Sequence, residues 1–138
     1  MQVADLCTRE VVVVAPKITV SEAAARMTEE GVGTLVVVDP LRRPLGILTD
    51  RDIVTRVVAR GASTRKTPTS AVMSDPVAWV HADRPLEAAL AEMARLQVRR
   101  LAVVDDRERL VGLLALDDAL LAILDEGSGL RAALEANL

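Results

Sequence analysis

The sequence predicts a fold of the α/β class, of the α+β type, in which a β-α-β-β-α unit occurs twice. When the chain is shifted by 66 residues, positions 11–52 and 77–118 share 14 identities in 42 without a gap. Chance matches of Ala, Val and Leu would not respect turns and helix caps, but these matches do. The aligned residues include Asp39 with Asp105 at the turn, Gly46 with Gly112 in the strand that follows, and Asp52 with Asp118 at the helix start. The chain is therefore an internal duplication.

The chain length indicates whether one copy could fold alone. A chain of 138 residues can form one ordinary core, but half of it would bury too little surface to be stable alone. With 51% apolar and 27% charged residues, the composition is that of a soluble globular protein. We therefore expect the two copies to pack together.

The first repeat begins with a short lead-in and then carries clear local signals. A β-branched run over 11–14 predicts a short strand that ends before Pro16. The sequence Thr19-Val20-Ser21-Glu22 matches a capping box, so a helix is expected to begin there. Gly31 is a natural stop for this helix.

A hairpin and a second helix complete the first repeat. Apolar runs at 35–38 and 45–48 flank a turn that contains two prolines, which predicts two strands joined by that turn. Apolar residues at 53, 54, 57 and 58 then predict an amphipathic helix over 50–60, closed by Gly61.

The second repeat follows a small, polar stretch with the composition of a linker. Its strands are expected at 77–80, 101–104 and 110–114, and its helices at 85–96 and 117–124. The predicted division is a first unit at 1–61, a linker at 62–70, a second unit at 71–126 and a tail at 127–138. In that tail, Leu130, Leu134 and Leu138 predict a short helix that packs either on the body or on a partner subunit.

The charge pattern argues against two classes of partner. The net charge is −3 and no run of Lys and Arg occurs, so neither nucleic acid nor an anionic membrane is expected to bind. No apolar stretch is long enough to span a bilayer and the start lacks a signal-peptide pattern, so the cytoplasm is the expected location. A single cysteine, Cys7, agrees with a reducing compartment.

The residue inventory predicts a protein without catalytic activity. His81 is the only histidine, so neither a histidine metal cluster nor a histidine acid–base pair can be built. Cys7 is expected to act as a small buried hydrophobe, and Met27 and Met93 to occupy core helix positions. Trp79 is the only aromatic residue and is expected in the core or in a subunit interface, because indole buries a large area.

Three motifs occur in order in the first repeat: V-x-E-A-x-x-x-M in the first helix, L-V-V-V-D in the hairpin and G-I-L-T-D-R-D at the entry to the second helix. Altered counterparts of all three follow in the same order, 66 residues later. This pattern resembles a pair of CBS domains, the arrangement called a Bateman module, over positions 3–124. The resemblance implies two three-stranded sheets related by a pseudo-twofold axis, with helices outside and two clefts between the units. Such modules commonly bind AMP, ATP, S-adenosylmethionine or sometimes NAD in those clefts. They regulate a partner rather than catalyse, and pairs of this size often form homodimers.

The sugar-binding signature that the resemblance implies is a Ser or Thr followed three positions later by Asp, here Thr49 and Asp52. A carboxylate can accept hydrogen bonds from both ribose hydroxyls, and a hydroxyl at a helix start can face a phosphate. The same spacing is also that of an ordinary helix cap. The resemblance favours the ligand, while the residues alone favour the cap.

The corresponding positions of the second repeat are Ala115 and Asp118, so the hydroxyl is missing and the acid remains. Loss of one hydrogen bond weakens affinity roughly tenfold, so this cleft is expected to be the weaker site. Arg99 and Arg100 replace the small pair Gly33 and Thr34 of the first repeat. They either clamp a ligand phosphate or lie solvated at a strand entrance.

The walls of an adenine pocket would have to be aliphatic in this chain, because Trp79 is its only aromatic residue. Val11 and Val77 are the predicted wall residues, and backbone groups near Arg9 and Asp75 are expected to contact the edge of the base. The complete set of predicted ligand-binding residues is Thr49, Asp52, Asp118, Arg99, Arg100, Val11, Val77 and Gly33.

We therefore expect a non-catalytic regulatory module that needs no cofactor and binds AMP, ADP, ATP or S-adenosylmethionine in a cleft between the repeats. Occupancy would shift the relative angle of the repeats and act on a protein effector or on the protein's own homodimer. The alternative is a scaffold that has kept the fold, lost the ligand and acts through protein–protein interaction. Ala115 favours the scaffold, whereas Thr49 and Asp52 favour the sensor.

Overall fold

The computed structural model describes residues 1–124, 133 and 135–137. These residues form two three-stranded sheets and their helices, which confirms the predicted α+β class. The chain divides into two compact units. The first-repeat unit comprises Glu10–Val77 and Arg107–Leu110, and the second-repeat unit comprises Met1–Arg9, Ala78–Asp106 and the described residues from Val111 onward.

The first-repeat unit contains one sheet in the order β1-β2-β3. Strand β1 pairs with β2 in parallel, whereas β2 and β3 are antiparallel. The strands are β1 (Val13–Val14), β2 (Thr34–Val38) and β3 (Pro44–Thr49), and the helices are α1 (Val20–Glu30) and α2 (Asp50–Ile53), which continues as a π-helix over Val54–Val58.

Helix α1 begins and ends where predicted, but only the Thr19 half of the predicted capping box forms. The Thr19 hydroxyl accepts a hydrogen bond from the amide of Glu22 at 3.2 Å, and Gly31 ends the helix with φ at +65°. A positive φ favours glycine because it has no Cβ, so the stop is encoded by the residue itself. The helix buries Val20, Ala23 and Met27 against the sheet's core, as the periodicity predicts.

The helix that follows β3 differs from the prediction. It becomes a π-helix at Val54, where the amide of Ala59 donates to the carbonyl of Val54 at 2.9 Å. The i→i+5 bond of a π-turn changes the phase of the side chains. Val57 is therefore fully buried, whereas Val54 and Val58 are 58% and 62% exposed. Their predicted place on an inward apolar face is wrong.

The second-repeat unit contains a sheet in the order β4-β5-β6, with β4 parallel to β5. Its strands are β4 (Trp79–His81), β5 (Arg100–Val104) and β6 (Leu110–Ala115), and its helices are α3 (Leu86–Leu96) and α4 (Leu116–Ile123). Met93 is buried as predicted. Trp79 is 45% exposed at the start of an edge strand, so it does not lie in the core, and its alternative place in a subunit interface stays a prediction.

The compact units do not follow the sequence repeats, because each repeat's lead-in packs on the other repeat. The first lead-in (Val3–Thr8) bonds to the second-repeat unit, and Thr8 exchanges two 2.9 Å backbone hydrogen bonds with Leu113. The second lead-in (Thr69–Ser74) bonds to the first-repeat unit, and Ser74 pairs with Ile47 at the equivalent positions. The compact units and the sequence repeats are therefore two different divisions of the chain.

A glycine in each hairpin allows this close approach. A Cβ on Gly46 would lie 2.5 Å from Met73 Sδ and 2.9 Å from the carbonyl oxygen of Ser74. A Cβ on Gly112 would lie 2.7 Å from Cys7 Sγ and 2.8 Å from the carbonyl oxygen of Thr8. Cys7 itself is partly buried against the core of the second-repeat unit, close to its predicted role.

The predicted linker makes specific hydrogen bonds. The amides of Val20 and Ser21, in the first turn of α1, donate to the carbonyls of Thr67 and Thr64 at 2.9 and 2.8 Å. First-turn amides have no partner within their helix, so the linker satisfies donors that would otherwise need water. The predicted leucine stripe of the tail lies outside the described residues. None of the described helices is long and apolar enough to cross a membrane.

Candidate functional site

Thr49 and Asp52 meet at the junction between β3 and α2. The Thr49 hydroxyl accepts from the amide of Asp52 at 3.1 Å, and the amide of Thr49 donates to Asp52 Oδ2 at 2.9 Å. This reciprocal pair is a capping box. It fixes both side chains at the surface of the first-repeat unit, where 15% of the Asp52 side chain is exposed.

Among the described residues, Arg56 is the cation that contacts this pair. Its Nη2 lies 3.7 Å from Asp52 Oδ1, and its Nη1 donates to the carbonyl of Val72 at 2.8 Å. The guanidinium is therefore shared between the carboxylate and the second lead-in. Asp52 Oδ2 accepts from the Thr49 amide, whereas Oδ1 has no hydrogen bond to the described part of the protein and both of its lone pairs can accept from a further donor.

Gly33 lies beside the same junction. Its carbonyl accepts from the amide of Asp50 at 2.9 Å, and a Cβ on Gly33 would lie 2.9 Å from Asp50 Oδ2. The absence of a side chain at position 33 therefore makes room for the Asp50 carboxylate. In the second repeat, the carbonyl of Arg99 accepts from the amide of Leu116 at 2.8 Å, which is the equivalent contact.

Asp118 stands in a different environment from Asp52. Ala115 offers no side-chain cap at the start of α4, as the sequence predicts. Within the described part of the chain, the Asp118 side chain has no hydrogen-bond or ion-pair partner, and the residue is half-buried. The second repeat thus keeps the acid and lacks the network that orients it.

The two predicted arginines are exposed. Arg99 Nη2 donates to Asp117 Oδ1 at 3.2 Å, with 71% and 43% of the two side chains exposed. Such an exposed pair is weak, because water and salt screen it. Arg100 begins β5 and is exposed as well.

The predicted wall residues Val11 and Val77 are half-buried, at the two ends of the chain segment that forms most of the first-repeat unit. Five predicted residues lie in this unit and three in the other. Val11, Gly33, Thr49, Asp52 and Val77 belong to the first-repeat unit, and Arg99, Arg100 and Asp118 to the second-repeat unit. The Arg9 side chain folds back to the carbonyl of Ala4 at 3.3 Å.

An open acidic cavity of about 560 Å³ in the second-repeat unit was not predicted. It lies beyond the carboxyl ends of the parallel strands β4 and β5. Its lining residues are His81, Ala82, Asp83, Val104, Asp105 and Asp106. The sequence feature that indicates this cavity is the acidic residue that follows each of these two strands. Among the described residues, no group of three His, Cys, Asp or Glu side chains is arranged to hold a metal ion.

Two pKa shifts identify groups with structural roles. Burial raises the pKa of the Cys7 thiol, so the unreactive protonated form persists at neutral pH. Hydrogen bonds from the backbone and side chain of Arg43 lower the pKa of Asp39, which also accepts from the amide of Leu41. Asp39 therefore stabilises the hairpin turn.

The fold and the site define a class of protein. In this class a β-α-β-β-α module occurs twice, and an acidic residue lies at the start of the second helix of each copy. The model of the CBS domain family matches the chain twice, at residues 3–59 and 70–125. The chain therefore belongs to the CBS domain family and carries two CBS repeats.

Similar proteins share most of this length. The CBS domain-containing protein YhcV of Bacillus subtilis is 42% identical over 118 residues, which is 84% of this chain and 81% of YhcV. Uncharacterized protein MK0525 of Methanopyrus kandleri is 34% identical over 120 residues, or 87% of this chain, and the match spans 61% of that protein.

A solved structure has the same fold. It is the CBS domain pair of protein MJ0100 in complex with 5′-methylthioadenosine and S-adenosyl-L-methionine. The two chains superpose with a TM-score of 0.73 at 26% identity, over 86% of this chain and 91% of the other.

Proposed function

We propose that this protein is a non-catalytic sensor that binds an adenosine-containing ligand at Thr49 and Asp52 and signals occupancy to a partner chain. AMP, ADP, ATP and S-adenosylmethionine are the candidate ligands. The observation that carries the proposal is the fixed Asp52 carboxylate, whose Oδ2 is held by the Thr49 amide. The bound adenosine compounds of the MJ0100 structure support the ligand class.

The chemistry of the first-repeat unit suits a ribose. A carboxylate accepts hydrogen bonds from vicinal hydroxyls, and the Asp52 side chain is partly exposed, with no hydrogen bond from the described residues to Oδ1. Val11 and Val77 supply apolar surface for a base, and Gly33 makes room for the Asp50 carboxylate beside the helix entry. In the second-repeat unit, Asp118 with Arg99 and Arg100 offers a weaker site, because the hydroxyl is replaced by Ala115.

We propose a second copy of this chain as one partner. Val54 and Val58 expose apolar side chains on the first-repeat unit. Leu120 and Ile123 of α4 are 42% and 59% exposed on the second-repeat unit. Apolar groups that protrude from a helix lose unfavourable contact with water when another chain covers them. A protein effector, still to be identified, is the other proposed partner.

A ligand-free scaffold is the competing proposal, and one observation favours it. Thr49 and Asp52 satisfy each other's backbone amides, so the cap alone explains both residues. The two proposals differ in one property, which is whether adenosine compounds stabilise the folded protein.

The test is a titration of AMP, ADP, ATP and S-adenosylmethionine, followed by thermal melting and Trp79 fluorescence. A ligand at 100 times its Kd adds about 2.7 kcal/mol, which raises Tm by roughly 5–10 °C for a chain of this size. The variant Asp52→Asn keeps an oxygen for the Thr49 amide and should lose most of the shift, while Glu30→Gln, on the exposed end of α1, should keep it. No shift in wild type with any of the four compounds overturns the sensor and leaves the scaffold.

A further inference from the structure

Arg56 joins two parts of the first-repeat unit that are far apart in sequence. Through Nη2 it lies 3.7 Å from Asp52 Oδ1, and through Nη1 it donates to the carbonyl of Val72 at 2.8 Å. The Arg56 side chain is 38% exposed and that of Asp52 15%, so the pair is only partly screened by water. Arg56 was not among the residues predicted to bind a ligand.

The two oxygens of the Asp52 carboxylate have different contacts. Oδ2 accepts from the Thr49 amide at 2.9 Å, whereas Oδ1 faces Arg56 across a gap too long for a hydrogen bond. The guanidinium therefore orients the carboxylate by charge and leaves Oδ1 able to accept from a hydroxyl. Two constraints on one carboxylate fix its rotamer before any ligand arrives.

The other end of the Arg56 contact is the second lead-in, which is held on the first-repeat unit at both of its ends. The Thr69 hydroxyl is fully buried and donates to the carbonyl of Ile18 at 2.6 Å. Ser74 exchanges backbone hydrogen bonds with Ile47 at 2.9 and 3.2 Å. Arg56 donates to the carbonyl of Val72, in the middle of the second lead-in. A movement of its guanidinium therefore displaces the segment that precedes β4.

We propose that Arg56 is the positioning residue of the adenosine site and transmits occupancy of Asp52 to the second lead-in. This inference rests on the proposed function. A ligand hydroxyl that binds Oδ1 excludes water from this partly exposed pair, which strengthens the attraction between the carboxylate and the guanidinium and tightens the hold on Val72. The second lead-in then exchanges its amide hydrogens more slowly when the ligand is bound.

The second repeat provides an internal comparison without this link. Positions 52, 56 and 72 correspond to Asp118, Ala122 and Leu6, so no cation stands between the acid and the first lead-in at that register. Occupancy near Asp118 therefore has no equivalent route through position 122. The proposal assigns this form of transmission to one repeat only.

The experiment compares wild type with Arg56→Gln, Arg56→Lys and the control Arg60→Gln, which changes an exposed arginine one turn further along. Kd values for AMP, ATP and S-adenosylmethionine are measured by equilibrium dialysis. Amide exchange is measured at Met73 and Ser74, whose amides bond to Thr69 and Ile47. Arg56→Gln should weaken binding about tenfold, Arg56→Lys less, and Arg60→Gln not at all.

At saturating ligand, wild type and Arg60→Gln should show slower exchange at Met73 and Ser74, and Arg56→Gln should show no ligand-dependent change. A purely structural role would shift exchange equally with and without ligand, and that result overturns the inference. Kd changes of Asp52→Asn and Arg56→Gln should also be non-additive in the double variant, since Arg56 acts through Asp52. Additive changes overturn it as well.

The outcomes separate the inference from the function on which it rests. Binding to wild type without a change of exchange at the second lead-in overturns the role of Arg56 and leaves the sensor intact. Absence of binding to wild type at all ligand concentrations overturns both proposals.

Discussion

The entries to the second helix of each repeat share a backbone and differ in their side chains. In the first repeat, Thr49, Asp52 and Arg56 form a connected network. The second repeat has Ala115, Asp118 and Ala122 at the same positions. Only the acid is common to both, so the duplication has produced one ordered entry and one simplified entry.

The contacts that build the fold remained the same in both repeats. The amide of Thr69 donates to the carbonyl of Ile18 at 2.8 Å, and the amide of Val3 donates to that of Arg84 at 2.9 Å. These donors and acceptors are equivalent at the 66-residue offset. The backbone contacts of the lead-ins are therefore common to both repeats, whereas the side chains at the entries to the second helices differ.

The largest expected effect tests the packing of the lead-ins, which is equivalent in the two repeats. Gly46→Ala and Gly112→Ala should each destabilise the protein by about 2–3 kcal/mol, because the added methyl meets a sulfur and a backbone oxygen of the packed lead-in. Chemical denaturation measures both values. The pair Gly112→Ala with Cys7→Ala should recover only part of the loss, since the Thr8 carbonyl remains 2.8 Å from the new Cβ. A cost in one repeat alone would contradict the equivalence of the lead-ins.

Local signals in the sequence were sufficient where a residue determines its own backbone. Thr19 and Gly31 gave both ends of α1, because a hydroxyl cap and a positive φ need no distant partner. The spacing of Thr49 and Asp52 likewise placed them together at a helix start. The strand predicted over 11–14 proved shorter, because only Val13 and Val14 pair with β2.

Contacts between distant segments could not be read in the same way. Nothing local shows that each lead-in packs on the other repeat. The apolar pattern of residues 53–58 fits an α-helix as well as a π-helix, so the π-helix could not be predicted from it. Arg56 was missed because its acceptor, Val72, is 16 residues away, yet its i,i+4 spacing from Asp52 pointed to an ion pair.

An intermediate effect tests the difference at the caps. In the absence of ligand, Thr49→Ala should cost about 1 kcal/mol, because the amide of Asp52 loses its acceptor. Ala115→Thr should stabilise the protein by up to about 1 kcal/mol if the new hydroxyl caps α4 in the same way. Denaturant midpoints report both changes. Thr49→Ser keeps the hydroxyl and is the control. An unchanged midpoint for Thr49→Ala would show that the capping box does not stabilise the first-repeat unit.

The smallest effect separates an exposed arginine from the half-buried one. Arg99→Gln should change the free energy of unfolding by less than about 0.5 kcal/mol, because 71% of its side chain is exposed and salt screens its contact with Asp117. Arg56→Gln should cost more, because it also leaves the Val72 carbonyl without its donor. Melting at low salt and at high salt measures both variants. The small cost of Arg99→Gln should vanish at high salt, whereas most of the cost of Arg56→Gln should persist because its hydrogen bond is short-range. Equal costs would show that Arg56, which contacts both Asp52 and Val72, stabilises the first repeat no more than the exposed Arg99–Asp117 pair stabilises the second.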